Sequence, residues 1–366
     1  MLSKRMTLFI LSMLALTVVG CSSDLGETGS KTIVEDDSQQ EIQNFNPDEA
    51  SGIEYRDLVA ELSTIPFLDE SLMLGGVAKS FQNEYWRTLR DGMEKGVDLF
   101  SQNGFDVTIE VSSAREENDE QGQLAIVSNM INQDYSALLL SPISDSNLGP
   151  GVINASEIGI PTINVNDGII EEADYFVGPK ARENGELAAA WLVNKLDGEG
   201  EVAIIMGMPK AFAARQRTIG FEEYMEENAP EIEIVAVQNA DWDRARAKDI
   251  AETWIKMHPN LNAIFANNDT MALGVQEAVN ASGRDILVIG VDGTSEAYES
   301  IRNGELAATV DSFPYFKGQI AVEIAMRRLA EQEIPRVIWT PQALIDSTNA
   351  NKSAEEIIQW SELKFE

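Results

Sequence analysis

Histidine and cysteine are nearly missing from this chain of 366 residues, which holds one of each, His258 and Cys21. That scarcity excludes metal sites built from His or Cys clusters, disulfides within the chain and most histidine-based catalysis. Basic residues are also few: 27 Lys plus Arg stand against 61 Asp plus Glu, for a formal net charge of −34. So acidic a surface repels nucleic-acid phosphates and anionic lipid headgroups, so no nucleic-acid partner is expected. Composition alone leaves carboxylate-only metal sites open, but no metal site is assigned. A Gly-x-x-x-x-Gly-Lys phosphate loop and a Gly-x-Ser-x-Gly elbow are both absent, and Gly207-Met208-Pro209 lacks the three spaced glycines of a dinucleotide turn. His258, in Met257-His258-Pro259-Asn260, reads as a helix-terminal residue that interacts with the helix dipole. No catalytic residue is named, and no cofactor is implied.

What is present begins with a targeting segment. Lys4 and Arg5 precede a mostly apolar run from Met6 to Val19, which Gly20 and Cys21 close. A basic start, a short apolar core and a small residue at the cut site read as an export signal over residues 1–20. The core falls short of the roughly 20 apolar residues that a membrane span needs. The setting of Cys21 resembles the lipobox of bacterial lipoproteins, with Val18 where Leu is more usual. That resemblance implies lipidation of Cys21 and an anchor in the cell envelope. Residues 21–55 read as an acidic tether, with Asp24, Glu27, Glu35, Asp36, Asp37, Glu41, Asp48 and Glu49 against Lys31. Such a segment buries too little to offset its ordering entropy. Ile53 to Leu68 is less polar and fits either a short helix or a packing segment.

A strand and helix rhythm follows. Leu72–Val77 is strand-like, and Asn83–Phe100 carries Trp86, Leu89, Met93, Val97 and Phe100 at helical spacing. Asp106–Val111, Ala137–Leu140, Ile160–Val165 and Tyr175–Val177 continue the strands, with a helix at Gln121–Ile131. A second series has strands at Val202–Met206, Ile232–Val237, Ala263–Ala266, Ile286–Val291 and Leu306–Val310, with helices between them. Wholly apolar strands such as Ala137–Leu140 belong to parallel sheets covered on both faces. The order predicts an α/β protein of two similar Rossmann-like lobes with parallel sheets, and a site at the carboxyl ends of the strands.

Those strand ends carry groups suited to a polyhydroxylated ligand. Neutral sugars present rings of donors and acceptors with apolar faces between them, so their sites combine Asp, Asn and Arg with aromatic rings. Asn83, Tyr85 and Trp86 follow the first strand, and Asn166 and Asp167 follow Ile163-Asn164-Val165. Arg217 follows the Val202 strand region, Trp242 and Asp243 follow Val237, Asn268 and Asp269 follow Phe265-Ala266, and Asp292 follows Val291. Taken singly, each has a plainer role: the amides and Asp269 as helix caps, Asp167 and Asp292 in turns, Arg217 on a solvated helix start, the rings in a core.

At these positions the chain also resembles a known family, the substrate-binding proteins of bacterial ABC sugar importers, in the ribose-binding and galactose-binding group (periplasmic binding proteins of type 1). The resemblance spans about Leu74 to Asp346. It is most specific over Phe265-Ala266-Asn267-Asn268-Asp269-Thr270-Met271-Ala272-Leu273-Gly274 and Val288-Ile289-Gly290-Val291-Asp292-Gly293. It implies that Asn83 bonds the sugar while Tyr85, Trp86 and Trp242 stack on it. It further implies that Arg217, in Arg217-Thr218-Ile219-Gly220-Phe221, bonds ring or hydroxyl oxygens, and that Asn268 and Asp292 bind hydroxyls. Asn166-Asp167 stands where ribose binders carry an Asp-Arg pair, and Ser312 where they carry glutamine, so the sugar is left open.

The same resemblance implies three chain crossings, near Val177–Lys180, Asp311–Pro314 and Trp339–Gln342. Lobe one would comprise residues 72–178 and 312–340, and lobe two 179–311 and 341–366. A monomer would bind a monosaccharide or cyclic polyol in the interlobe cleft and deliver it to an ABC permease. The alternatives are a sugar-sensing protein that feeds a receptor and a glycan enzyme using paired carboxylates such as Asp243 and Asp292.

Overall fold

The alternating apolar strands assemble into two separate sheets. The computed structural model describes residues 45–62, 64–360 and 365. The expected export signal, Cys21 and the tether up to residue 44 lie outside the described residues. In the first sheet the strands lie in the order Ile53–Glu54, Val337–Trp339, Tyr175–Gly178, Thr162–Val165, Ala137–Leu140, Leu72–Ser80 and Val107–Ala114. All its pairings are parallel. Ala137–Leu140 and Thr162–Val165 are buried at every position, as expected where helices cover both faces. The helices Glu84–Gln102 and Pro314–Leu329 pack together on one face. Gly92 makes their approach possible, because a Cβ there would collide with the Tyr315 carbonyl.

The second sheet runs Ala343–Asp346, Ala308–Asp311, Leu287–Asp292, Leu261–Ala266, Gly200–Met206 and Ile232–Asn239. Successive strand residues point to opposite faces, and the two cores divide accordingly. Ile205, Ile264 and Val288 enter one apolar cluster, while their neighbours Ile204, Phe265 and Ile289 enter the other. One strand departs from the parallel pattern expected: Ala343–Asp346 pairs antiparallel with Ala308–Asp311. The chain passes from sheet to sheet between Gly178 and Ala181, between Asp311 and Pro314, and between Trp339 and Ala343.

Two stretches lie elsewhere than the sequence suggests. The tether, expected to continue to residue 55, ends sooner: from Phe45 the chain is packed. The Phe45 ring lies 3.7 Å from the Arg336 guanidinium. Asp48 accepts from the Ala181 and Arg182 amides at 3.1 and 2.8 Å, capping a helix whose own N-cap residue, Lys180, supplies no side-chain cap. Burial pushes the Asp48 carboxyl up to about 6. Ile53–Glu54 adds an edge strand, and Tyr55–Glu61 forms a helix with Tyr55 and Leu58 buried. The chain end, assigned to lobe two, returns to lobe one. There Trp360 stacks on Tyr55 at 5.5 Å and the Phe365 ring meets Phe100 edge-on at 5.1 Å. Burying these rings in the first apolar cluster is worth more than leaving them in water.

Candidate functional site

All nine residues proposed for the ligand line one cavity between the two sheets, together with Glu117. First-lobe strand ends supply one wall. Asn83 caps the helix Glu84–Gln102 by accepting from the Tyr85 amide, so its cap role and its cavity position coexist. Its amide nitrogen donates to Glu117 Oε1 at 2.9 Å, and Trp86 Nε1 donates to the same oxygen at 3.0 Å. Tyr85 and Trp86 meet edge to face at 4.9 Å and are both buried. Asn166 and Asp167 turn the chain after Thr162–Val165 with φ of 58° and 67°. Asn and Asp tolerate this left-handed region better than other side chains that carry a Cβ.

The second lobe supplies the facing wall. Asn268 caps the helix Asp269–Ser282 through Met271 N at 3.0 Å. Trp242 holds φ at 67°, an outlier for a bulky residue. Its ring lies against Gly207, where any Cβ would collide with it. Asp292 ends its strand with φ of 134°. Four of the nine cavity residues thus have positive φ, and such strained backbone persists where the surrounding structure over-determines it. Asp269 provides part of that support. It accepts from the Gly293 and Thr294 amides and from the Thr309 hydroxyl, pinning the turn after Asp292, and burial raises it to about 6.

Buried charges of both signs meet at the cavity. Arg217, 1% exposed, donates from Nη1 to the Asn267 carbonyl at 2.7 Å and lies 3.5 Å from Asp292 Oδ1. Its Nε and the Trp242 Nε1 are buried with no hydrogen-bond partner among the described residues. Burial raises Asp292 well above the usual carboxylate range, opposed by Arg217. Three charged groups were missed in the sequence. Lys79, the penultimate residue of its strand, donates to Asp167 and lies 5.5 and 5.7 Å from the Trp86 and Trp242 rings. Lys317 donates to Tyr85 Oη, Asn166 Oδ1 and Ser312 Oγ at 2.7, 3.0 and 3.2 Å. Burial, with Arg217 nearby, lowers it to about 7. Glu117 is raised by burial and opposed by Lys79. A lysine closing the apolar run Gly-Val-Ala and another inside Pro-Tyr-Phe-Lys-Gly were the available signals. Glu117, among other acids in a loop, offered none.

Arg217 lines the cavity with three carboxylates, Glu117, Asp167 and Asp292, while Lys79 and Lys317 bond to the lining residues Asp167, Tyr85 and Asn166. Asp243 is not part of this set. It is exposed, caps the next helix through Arg246 N at 2.7 Å and does not line this cavity. His258 ends its helix, and its carbonyl accepts from Arg284. Among the described residues no group of three or more His, Cys, Asp or Glu could hold a metal ion.

Direct contacts join the two lobes. Glu84 Oε1 accepts from the Ser295 amide at 2.7 Å, Lys210 meets Glu120 at 2.5 Å, and Arg215 meets Asp145. Asp145 also accepts from Phe212 N at 3.2 Å, and the Asp167 carbonyl from Ala213 N at 2.8 Å.

Comparison with known proteins places this geometry among relatives. A family described as "Periplasmic binding protein domain" matches residues 74–333. The chain is 33% identical over 272 residues to the ribose import binding protein RbsB of Bacillus subtilis, covering 74% of this chain and 86% of that protein. It is 31% identical over 282 residues to a D-ribose/D-allose-binding protein of Pseudomonas aeruginosa, covering 74% and 87%. A solute-binding protein of an Actinobacillus succinogenes ABC transporter, solved with D-allose, superposes with a TM-score of 0.72 at 28% identity, over 77% of this chain and all of that one. One from Bacillus halodurans, solved with myo-inositol, gives 0.70 at 27%, over 78% and 98%.

Proposed function

The chain belongs to the periplasmic binding protein family, and from that premise we propose that it captures a neutral monosaccharide or cyclic polyol and delivers it to an ABC permease. The observation that carries this reading is the convergence of polar and aromatic strand-end residues from both sheets on one cavity. Trp86 and Trp242 offer flat faces for the apolar side of a sugar ring, while Arg217, Asp292, Asn268 and Asp167 meet its hydroxyls.

Lobe one, 72–178 with 312–340, and lobe two, which takes up 179–311 and resumes at 341, would rotate about the three crossings. Ligand contacts to both walls favour the closed arrangement, which the permease reads. The proposed work is binding alone, so no side chain needs to act as acid or base. Cys21, lipidated after export, would tether the folded part to the envelope. Calorimetry of the chain against D-allose, D-ribose and myo-inositol tests the reading. The expected result is roughly micromolar affinity for at least one of them, near −8 kcal/mol. Heat from none, with heat from an amino acid or peptide instead, refutes it.

A further inference from the structure

Lys317 is fully buried, yet among the described residues no carboxylate lies within ion-pair distance of it. The other buried cations are paired: Lys79 meets Asp167, Arg217 lies 3.5 Å from Asp292, and Arg327 lies 2.7 Å from Glu323. A buried ammonium without a counter-ion costs stability, and such groups concentrate where function needs them. Lys317 bonds instead to three neutral oxygens, Tyr85 Oη, Asn166 Oδ1 and Ser312 Oγ. Tyr85 and Asn166 line the interlobe cavity, Ser312 belongs to the second crossing, and Lys317 itself does not line the cavity.

An ammonium has three donors and no acceptor, so each of these oxygens has to accept. For Asn166 that fixes the amide: Oδ1 faces the lysine, and Nδ2 is the half left for the cavity. The other two cavity asparagines are set the same way by helix ends. Asn83 Oδ1 accepts from Tyr85 N and Asn268 Oδ1 from Met271 N, both at 3.0 Å. Asn166 has no helix to cap, because it turns the chain between the strands Thr162–Val165 and Tyr175–Gly178 with φ of 58°. There the lysine does what helix amides do at the other two. All three amides turn their oxygen to the protein, so acceptors for a ligand come from the lining carboxylates Glu117, Asp167 and Asp292.

We propose that Lys317 is a positioning residue of the sugar site, which fixes Asn166 as a hydrogen-bond donor to the ligand and holds Tyr85 by its hydroxyl in the cavity wall. This role deepens the function proposed above and rests on it. A sugar hydroxyl gives its hydrogen to a carboxylate and takes one from an amide or from Arg217, so a wall of fixed polarity selects how that hydroxyl is turned. Without the ammonium, the Asn166 amide is free to turn over and meet the ligand with its oxygen. The charged and titratable groups around Lys317 are Tyr85, Asp167, Arg217, Asp292 and Asp311. Burial and Arg217 lower the lysine to about 7 against the opposing pull of the three carboxylates. Above that pH the neutral amine carries a lone pair and no longer dictates the orientation of the amide.

The test titrates the full chain with D-allose, D-ribose and myo-inositol by calorimetry and repeats the tightest binder on Lys317→Met and Asn166→Asp, with urea melts to show that each variant is folded. Aspartate keeps an oxygen for Lys317 and tolerates the left-handed turn, so the substitution changes what the ligand meets from a donor to an acceptor. Each variant is expected to bind at least about tenfold more weakly. Between about pH 6 and about pH 8.5 the affinity of the parent should fall by more than that of Lys317→Met. The proposal is overturned if folded Lys317→Met binds within about twofold of the parent, if Asn166→Asp does so, or if the two pH profiles coincide. Should Lys317→Met fail to fold, Asn166→Asp decides. A parent chain that takes an amino acid or peptide and no sugar refutes the cleft reading and this role with it, whereas sugar binding that both variants leave intact refutes this role alone.

Discussion

Replacing Arg217 by methionine perturbs the one side chain that both organises the interlobe cavity and faces its proposed ligand. The guanidinium is buried, holds the Asn267 carbonyl at 2.7 Å, stands 3.5 Å from Asp292 and keeps Nε unpartnered. Its removal orphans a carbonyl and strips the nearest cation from a buried carboxylate. Breaking one partner of a buried pair costs about 3–5 kcal/mol of stability. Asp292 limits that loss, because burial already raises it and it can take up a proton instead of staying charged. For ligand, losing a desolvated charged donor is expected to cost about 2–5 kcal/mol, roughly 30-fold to several thousandfold in dissociation constant. The double variant Arg217→Met/Asp292→Asn removes the stranded charge, so stability should largely return while affinity does not. Calorimetry with the preferred sugar at pH 7, beside a urea melt of each variant, reads both quantities. A folded Arg217→Met chain that loses less than about 0.5 kcal/mol of binding refutes the role, since that is no more than an exposed pair is worth. Affinity that recovers with stability in the double variant would show that Arg217 acts only through the fold.

Gly207→Ala should push the Trp242 ring out of place, costing about 1–3 kcal/mol by overpacking. Calorimetry should read at least about tenfold weaker sugar binding, and unchanged affinity would remove Trp242 from the stacking role. Lys79→Met strands Asp167, so calorimetry should read at least about tenfold weaker sugar binding; unchanged affinity would argue against the pairing. The pH dependence of folding has a definite sign. Asp48 and Asp269 at about 6 and Asp311 at about 7 are raised above the ordinary 3.8, so the folded chain binds more protons between those values and about 4. Stability is lost as pH rises through them, and a thermal melt at pH 5 should exceed one at pH 7.5. The lowered Lys317 acts above about 7, outside that window. A lower melting temperature at pH 5 would contradict these burial assignments. Arg215→Ala breaks a half-exposed interlobe pair worth about 0–1 kcal/mol, so sugar binding should weaken less than about fivefold, with scattering showing a more open average shape. A large loss would mean that this contact, rather than ligand, holds the lobes.

Much of this architecture is legible along the chain because it is encoded between near neighbours. The period-2 division of Ile204 and Ile205, or of Val288 and Ile289, follows from strand geometry and from apolar runs short enough to be strands. The nine proposed ligand residues are visible for a related reason. Each follows a strand, and strand carboxyl ends face the cleft in open α/β sheets. Asn83 and Asn268 illustrate the limit of that reading. Cap and cavity roles look like alternatives in the sequence, but one amide does both, its oxygen capping the helix while the residue lines the cavity. Residues 45–55 look like tether because Asp48 and Glu49 are acidic and the run is polar. What folds them is a helix terminus 133 residues away that takes Asp48 as its cap.

By itself, the sequence determined the fold class and pointed to the strand-end set, since both depend on residue type and local spacing. Tertiary structure alone decided which charges meet at the cavity. Lys79 reaches Asp167 across 88 positions and Lys317 reaches Tyr85 across 232. Whether such charges pair, shift their protons or stay in water depends on burial and on distances of a few ångströms. Neither quantity is a property of neighbouring residues in the chain, so Lys79, Glu117 and Lys317 become part of the site only when the two sheets close around it.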